Sequence, residues 1–221
     1  MNNKETIDLF NKAYSSKGMY FGWKIRCEFK EIIDSLDFKG KNALDIGCGE
    51  GRYSIYLAQK GFSVTALDLS DIGINKLRSI AKEKKLKIKC EIEDIQRYEF
   101  FENEYDLIVM AYVLDHLDQQ TRDKAITGIK KSLKSGGVFL ATVFTIQDPG
   151  CQNKNDIILK KSYAYNNISE CGNCIKHYYN SNELKKEFSE LELIRYGESL
   201  ELDFSHGKPH FHGVAIIAVR K

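Results

Sequence analysis

Proline is nearly missing from this chain, with 2 in 221 residues, and no low-complexity run accompanies them. That excludes a long Pro-rich spacer and argues against an extended disordered linker. Long apolar runs are lacking too. No window approaches the roughly 18 to 20 apolar residues that a membrane-spanning helix requires. The start, Met1-Asn2-Asn3-Lys4-Glu5, is polar and has no apolar signal core, so the sequence reads as a cytoplasmic protein. Charge of one sign is scarce: the formal net charge is +2, which implies no strong field for a polyanion. A local basic stretch at Lys82, Lys84, Lys85, Lys87 and Lys89 alternates with apolar residues and reads as a solvated face. In a cytoplasmic setting the 6 cysteines read as thiols, not as a disulfide framework.

What is present is an alternation of apolar strand-like runs and amphipathic helical runs. Asn42–Ile46 is a short apolar run that stops at glycine, and Ser54–Lys60 continues as a helix. Phe62–Leu67, Lys87–Ile92, Tyr105–Ala111 and Gly137–Phe144 read as four further strands. Ile72–Ala81 and Thr121–Leu133 carry apolar residues at helical spacing between them. Such alternation predicts parallel strands with crossover helices, an open doubly wound α/β sheet with helices on both faces. Leu107-Ile108-Val109-Met110 and Val138-Phe139-Leu140-Ala141 are apolar on both faces, as buried parallel strands should be. Residues 1–36 read as one or two helices interrupted near Gly18–Gly22, a helical cap on a 40–145 core. Residues 145–180 are polar and irregular, with Tyr163, Tyr165, Tyr178 and Tyr179, and read as a substrate-side insertion in one 1–221 domain. In residues 181–221, Asn182–Glu190 looks helical. Leu191–Phe204 and Phe211–Val219 read as a closing antiparallel hairpin.

The chemistry sits in Asp45-Ile46-Gly47-Cys48-Gly49-Glu50-Gly51, a glycine-rich turn between the first strand and a helix. In open α/β sheets ligands bind outside the carboxyl ends of the strands, where strand order reverses. The spacing is G-x-G-x-G and not the G-x-G-x-x-G of dinucleotide sites. Asp45 would repel a pyrophosphate but favours a cationic ligand. S-adenosylmethionine carries an ammonium and a sulfonium and no phosphate. Asp68, about twenty residues on, can accept hydrogen bonds from two ribose hydroxyls. Asp94 can accept from an exocyclic amine of adenine, with Ile95 packed on the ring.

These residues, with Thr65-Ala66-Leu67-Asp68-Leu69-Ser70, Tyr105-Asp106-Leu107-Ile108 and Leu133-Lys134-Ser135-Gly136-Gly137, resemble the class I (Rossmann-like) S-adenosylmethionine-dependent methyltransferases over roughly residues 40–145. The resemblance implies a mostly parallel seven-stranded sheet whose last strand is antiparallel, and S-adenosyl-L-methionine as cofactor. The cofactor site would comprise Asp45, Gly47, Cys48, Gly49, Gly51, Asp68, Leu69, Asp94, Ile95, Ala111 and Tyr112. His177-Tyr178-Tyr179 and Phe211–Arg220 are similar to small bacterial methyltransferases of the tellurite-resistance type.

Methyl transfer is an in-line displacement in which the enzyme supplies position and desolvation, with a general base where the acceptor is an oxygen or amine. His116 is the candidate base, because a neutral imidazole titrates near working pH. Tyr14, Tyr20, Phe21, Trp23 and Arg26 are candidates to cover the cofactor, and Asp106 is expected to cap or pair. Cys171-Gly172-Asn173-Cys174 and His177, with His206, His210 and His212, have spacings that could hold zinc or a soft metalloid. A single C-x-x-C does not define a ligand set, so no metal residues are assigned. His210 and His212 alternate on a strand and share a face at the expected pocket mouth. The sequence therefore points to methyl transfer onto a metalloid, thiol or small metabolite. The alternatives are an RNA or protein methyltransferase, a non-catalytic cofactor binder, and a nicotinamide dehydrogenase. No membrane partner is expected, nucleic acid is disfavoured, and oligomeric state is open.

Overall fold

The structure, a computed structural model, describes residues 3–151, 158–159, 176–204 and 209–221. Seven strands form one sheet: β1 (Asn42–Ile46), β2 (Ser63–Asp68), β3 (Ile88–Ile92), β4 (Tyr105–Ala111), β5 (Leu133–Phe144), β6 (Glu192–Asp203) and β7 (His210–Arg220). Their spatial order is β3-β2-β1-β4-β5-β7-β6. The first five run parallel, and β7 is antiparallel to both β5 and β6. Chain direction across the sheet reverses between β1 and β4, which opens a crevice at their carboxyl ends. Two short pieces, Ile158–Leu159 and Lys176–His177, pair with each other outside the main sheet.

The helices are α1 (Asn3–Tyr14), α2 (Cys27–Ser35), α3 (Arg52–Gln59), α4 (Asp71–Glu83), α5 (Gln119–Ser132) and the short α6 (Glu183–Glu187). Local chemistry sets several ends. Ser70 Oγ accepts the Gly73 N–H at 3.0 Å at the start of α4, and an Asp118 carboxylate oxygen accepts the Thr121 N–H at 2.8 Å at the start of α5. Each cap satisfies a backbone donor that has no partner inside the helix.

Alternation along the strands builds two apolar layers. Leu44, Ile108 and Phe139 face a layer with Ile126 and Ile129 of α5. Ala43, Leu107 and Leu140 face the other, with Ile33 of α2, Leu57 of α3 and Leu77 of α4. β4 and β5 are therefore buried on both sides, as their unbroken apolar runs require.

Most expected elements shift by one to three residues at their ends, and two differ more in length. The helix expected over Asn182–Glu190 ends at Glu187. Phe188 there turns inward and packs at a tilt against Phe139 with ring centroids 4.8 Å apart. Strand β5 begins at Leu133, four residues before Gly137, because Leu133 pairs with Tyr105 across an irregularity in the register. Lys82, Lys84, Lys85, Lys87 and Lys89 are all exposed. No helix among the described residues is long and apolar enough to cross a membrane.

Leu107 is fully buried between β1 and β5. Leu107→Ala is expected to cost about 2–5 kcal/mol in urea unfolding, through lost transfer energy and a residual cavity. A loss below about 1 kcal/mol would show that this layer is not close-packed.

Candidate cofactor and acceptor site

The crevice between β1 and β4 opens into a cavity of about 690 Å³. The cavity wall brings together the expected cofactor residues and the candidate base: Asp45, Gly47, Cys48, Gly49, Gly51, Asp68, Leu69, Asp94, Ile95, Ala111, Tyr112 and His116. The glycine loop lies on its floor. Gly47 and Gly49 both adopt left-handed backbone, with φ of 65° and 55°. A Cβ on Gly47 would stand 2.3 Å from Val113, and one on Gly49 would stand 2.5 Å from the Tyr14 hydroxyl. Only glycine meets both the dihedral and the space requirement.

Two carboxylates flank this loop inside the protein. Asp45 Oδ2 accepts from Ser54 Oγ at 2.6 Å. Asp68 accepts from the Gly49 and Ser70 N–H groups at 2.8 and 2.7 Å. Neither has a salt-bridge partner among the described residues. Burial pushes Asp45 up to about 6, against the Ser54 hydrogen bond, and also raises Asp68. A buried carboxylate without a cation is costly, and a positively charged ligand would offset that cost. The same pair would repel a pyrophosphate. Asp94 Oδ1 accepts the Gln96 N–H at 2.9 Å, and Ile95 is buried beside it.

The N-terminal segment roofs the cavity. Asn11 bridges α1 to the start of α4, donating to Asp71 Oδ1 at 2.7 Å and accepting from Ser70 Oγ at 2.5 Å. Lys76 Nζ donates to the carbonyls of Ser16 and Gly18 and pairs with Glu50 at 2.7 Å. Glu50 in turn accepts the Tyr20 N–H at 2.6 Å. The loop residue Glu50 thus ties the roof to the floor. Of the five cap candidates, Tyr14, Phe21 and Arg26 line the cavity. Tyr20 takes part through its backbone, and Trp23 is exposed.

A methyltransferase-domain family profile matches residues 43–137. The match takes in the glycine loop and the Asp45 and Asp68 carboxylates, whose lack of a cation partner suits the positive charge of S-adenosylmethionine. The chain is 24% identical over 194 residues to a probable S-adenosyl-L-methionine-dependent methyltransferase, TehB, of Haemophilus influenzae, covering 87% of this chain and 58% of that protein. It is 29% identical over 137 residues to a ubiquinone biosynthesis O-methyltransferase of Coxiella burnetii, covering 62% of this chain and 57% of the relative. The chain therefore spans under three-fifths of the length of these two relatives. The crystal structure of Haemophilus influenzae TehB superposes with a TM-score of 0.70 at 22% identity, over 97% of this chain and 66% of that one. A Burkholderia thailandensis 1,6-didemethyltoxoflavin-N1-methyltransferase, solved with S-adenosylhomocysteine, superposes with a TM-score of 0.64 at 15% identity, over 100% of this chain and 81% of that one.

The far wall of the cavity is built by the ends of β4, β5 and β6 and the start of β7. Tyr112, the residue after β4, is in a left-handed conformation, φ 59°, a strained state for a bulky side chain. Its hydroxyl accepts from Arg26 at 3.1 Å and its ring leans on Phe144. Arg26 also forks onto Glu201 with contacts of 2.5 and 2.9 Å. His116 lies on a single turn, Leu114–His116, edge-on to Phe10 at 5.7 Å and with Nε2 3.5 Å from Asp115. Burial pushes the Cys48 thiol well above its ordinary value, so it is no nucleophile at neutral pH. Asp106 pairs with Lys134 at 2.8 Å and accepts the Asn42 N–H, outside the cavity.

His177 is buried and paired with Glu183 at 2.6 Å. Cys171, Cys174, His206, Tyr163 and Tyr165 lie outside the described residues. The sequence reading missed Asp148, Glu201 and Asp203, all on the cavity wall. The i, i+2 spacing of Glu201 and Asp203 on a strand was a signal that they share a face.

Asp45 keeps its proton up to about pH 6 in the folded chain, against a reference of 3.8. Folding takes up a proton between those values, so stability falls as pH rises through that window. By linkage the penalty above pH 6 is about 3 kcal/mol. Asp45→Asn is expected to raise the urea stability of the ligand-free chain at pH 8 by up to about 3 kcal/mol, and hardly at all near pH 4. An equal gain at both pH values would contradict the assignment.

Proposed function

We propose that this chain transfers the methyl group of S-adenosylmethionine to a small molecule of the metalloid, thiol or small-metabolite type. The observation that carries the reading is the pair of carboxylates, buried Asp45 and half-buried Asp68, uncompensated beside a glycine loop beneath an aromatic roof. When bound, the cofactor supplies a methyl carbon on a cationic sulfur. In this reading Asp45 holds the ammonium end and Asp68 accepts from the ribose hydroxyls. Asp94 accepts from the adenine amine, with Leu69 and Ile95 on the ring. Gly47, Cys48, Gly49 and Gly51 supply backbone close to the ligand. Ala111 and Tyr112 border the sulfur, and the 1–36 cap excludes water. For an oxygen or amine acceptor, His116 takes the proton.

A small acceptor is supported by the closed roof. Arg26, Glu201 and Tyr112 also narrow the space beyond the cofactor loop. A macromolecular acceptor finds less support. Lys130 and Lys134, two of the lysines that would serve an RNA surface, are held in ion pairs with Glu190 and Asp106.

Calorimetry of the full chain with S-adenosylhomocysteine tests the cofactor site. Wild type is expected to bind, and Asp68→Ala to bind about 100-fold more weakly, as loss of two charge-assisted hydrogen bonds implies. Unchanged binding by Asp68→Ala would remove the assignment. For an oxygen or amine acceptor, His116→Asn is expected to lower kcat by about 10²–10⁴ with the cofactor Kd unchanged. Tight cofactor binding with no product from small thiols, metalloid oxyanions or phenols would favour the non-catalytic reading.

A further inference from the structure

The methyl-transfer reading leaves one cluster on the cavity wall unused. Asp203 ends β6 directly opposite His210 on β7, and His212 follows two residues on, on the same face. The carboxylate of Asp203 and the ring nitrogens of His210 and His212 lie within 4.8 Å of one another. The two Nε2 atoms are 2.9 Å apart.

The decisive feature is behind His212. Its Nδ1 is 2.8 Å from Asp148 Oδ2. Asp148 is buried and itself fixed, accepting from the Gly150 N–H at 2.7 Å and the Gly213 N–H at 3.2 Å. The backbone at Asp148 comes so close to β7 that a Cβ on Gly213 would stand 2.2 Å from the Asp148 nitrogen. A carboxylate on Nδ1 sets the tautomer, putting the proton there and turning the Nε2 lone pair toward the cluster. Histidines that ligate metals are oriented in this way.

The spacing also fits. Two imidazole nitrogens at about 2.1 Å from one cation are about 3.0 Å apart at a right angle and about 3.4 Å apart at the tetrahedral angle. The observed 2.9 Å matches the first and needs a small ring rotation for the second. Asp203 and His212 line the cavity, so a cation held here would keep an open position facing it. Three protein ligands with an open position are the arrangement of a catalytic metal site, not of a closed structural one.

We propose that Asp203, His210 and His212 bind a first-row divalent cation of the zinc class, with Asp148 orienting His212. The open position takes the anionic oxygen or thiolate of the acceptor. Coordination there lowers the pKa of such a group. The acceptor role rests on the methyltransferase reading above, whereas the cation site does not depend on it.

The test is titration of the chelator-stripped full chain with Co²⁺, followed by its visible spectrum, with Zn²⁺ as competitor. One saturable Co²⁺ per chain is expected, without thiolate-to-metal charge-transfer bands and displaced by Zn²⁺. His210→Ala and His212→Ala should each weaken binding by at least about 100-fold, and Asp148→Asn by about 10- to 100-fold. Circular dichroism of each variant controls for folding, and the wild-type titration stands alone where a variant does not fold. S-adenosylhomocysteine affinity of His210→Ala should stay within about twofold of wild type, which separates this site from the cofactor site. The proposal is overturned by absence of saturable binding, by charge-transfer bands that place Co²⁺ on cysteines, or by binding that survives both histidine variants.

Discussion

Asp45 and Asp68 are held inside the protein beside a loop of glycines, each satisfied by neutral donors and neither by a cation. This arrangement works against folding, since desolvated carboxylates prefer to be neutral or paired. It persists because the strands that carry them, β1 and β2, are interior strands of the sheet, each paired on both edges. Their neighbours supply apolar layers on both faces. The stability of the core therefore sustains a local electrostatic deficit at the strand ends, which in the proposed reading favours a cationic ligand. Strain at a site compensated elsewhere in the fold is a common property of binding sites.

The roof obeys the same electrostatics. Glu50 lies in the glycine loop, yet its charge is matched by Lys76 of α4, and together they gather the carbonyls of Ser16 and Gly18 and the N–H of Tyr20. One acidic loop residue is thus spent on fixing the cap, while Asp45 and Asp68 stay open to a ligand. On the opposite wall, Arg26 joins the cap to Glu201 and Tyr112. Charged groups pin the cap at Ser16–Tyr20 and at Arg26, and Phe10, Tyr14 and Phe21 present aromatic surface to the cavity.

Much of this was legible in the sequence, for physical reasons. Parallel strands buried on both faces must be apolar throughout, so β4 could be bounded at Tyr105–Ala111 from its composition. The glycine loop was legible because only glycine tolerates the left-handed turns at Gly47 and Gly49. The strand-end acids followed from topology, which gathers residues distant in sequence at one edge. What was not legible depends on register and long-range packing. That Asp203 stands opposite His210 is fixed by the pairing of β6 with β7. That Asp148 reaches His212 depends on the turn after β5 folding back onto β7, a contact between residues 64 apart. Local pattern carries no information on either. The end of α6 at Glu187 was missed because Phe188 is drawn out of the helix by Phe139, a tertiary contact overriding helical propensity.

The central claim is that Asp45 is a buried carboxylate kept available for a positive charge. Carboxyl ¹³C NMR of the labelled chain, titrated in pH with and without S-adenosylmethionine, measures this directly. The account predicts that Asp45 titrates near 6 in the free chain and that its pKa falls well below that value when the cofactor is bound. An Asp45 pKa that is ordinary in the free chain, or that the cofactor leaves in place, would contradict it.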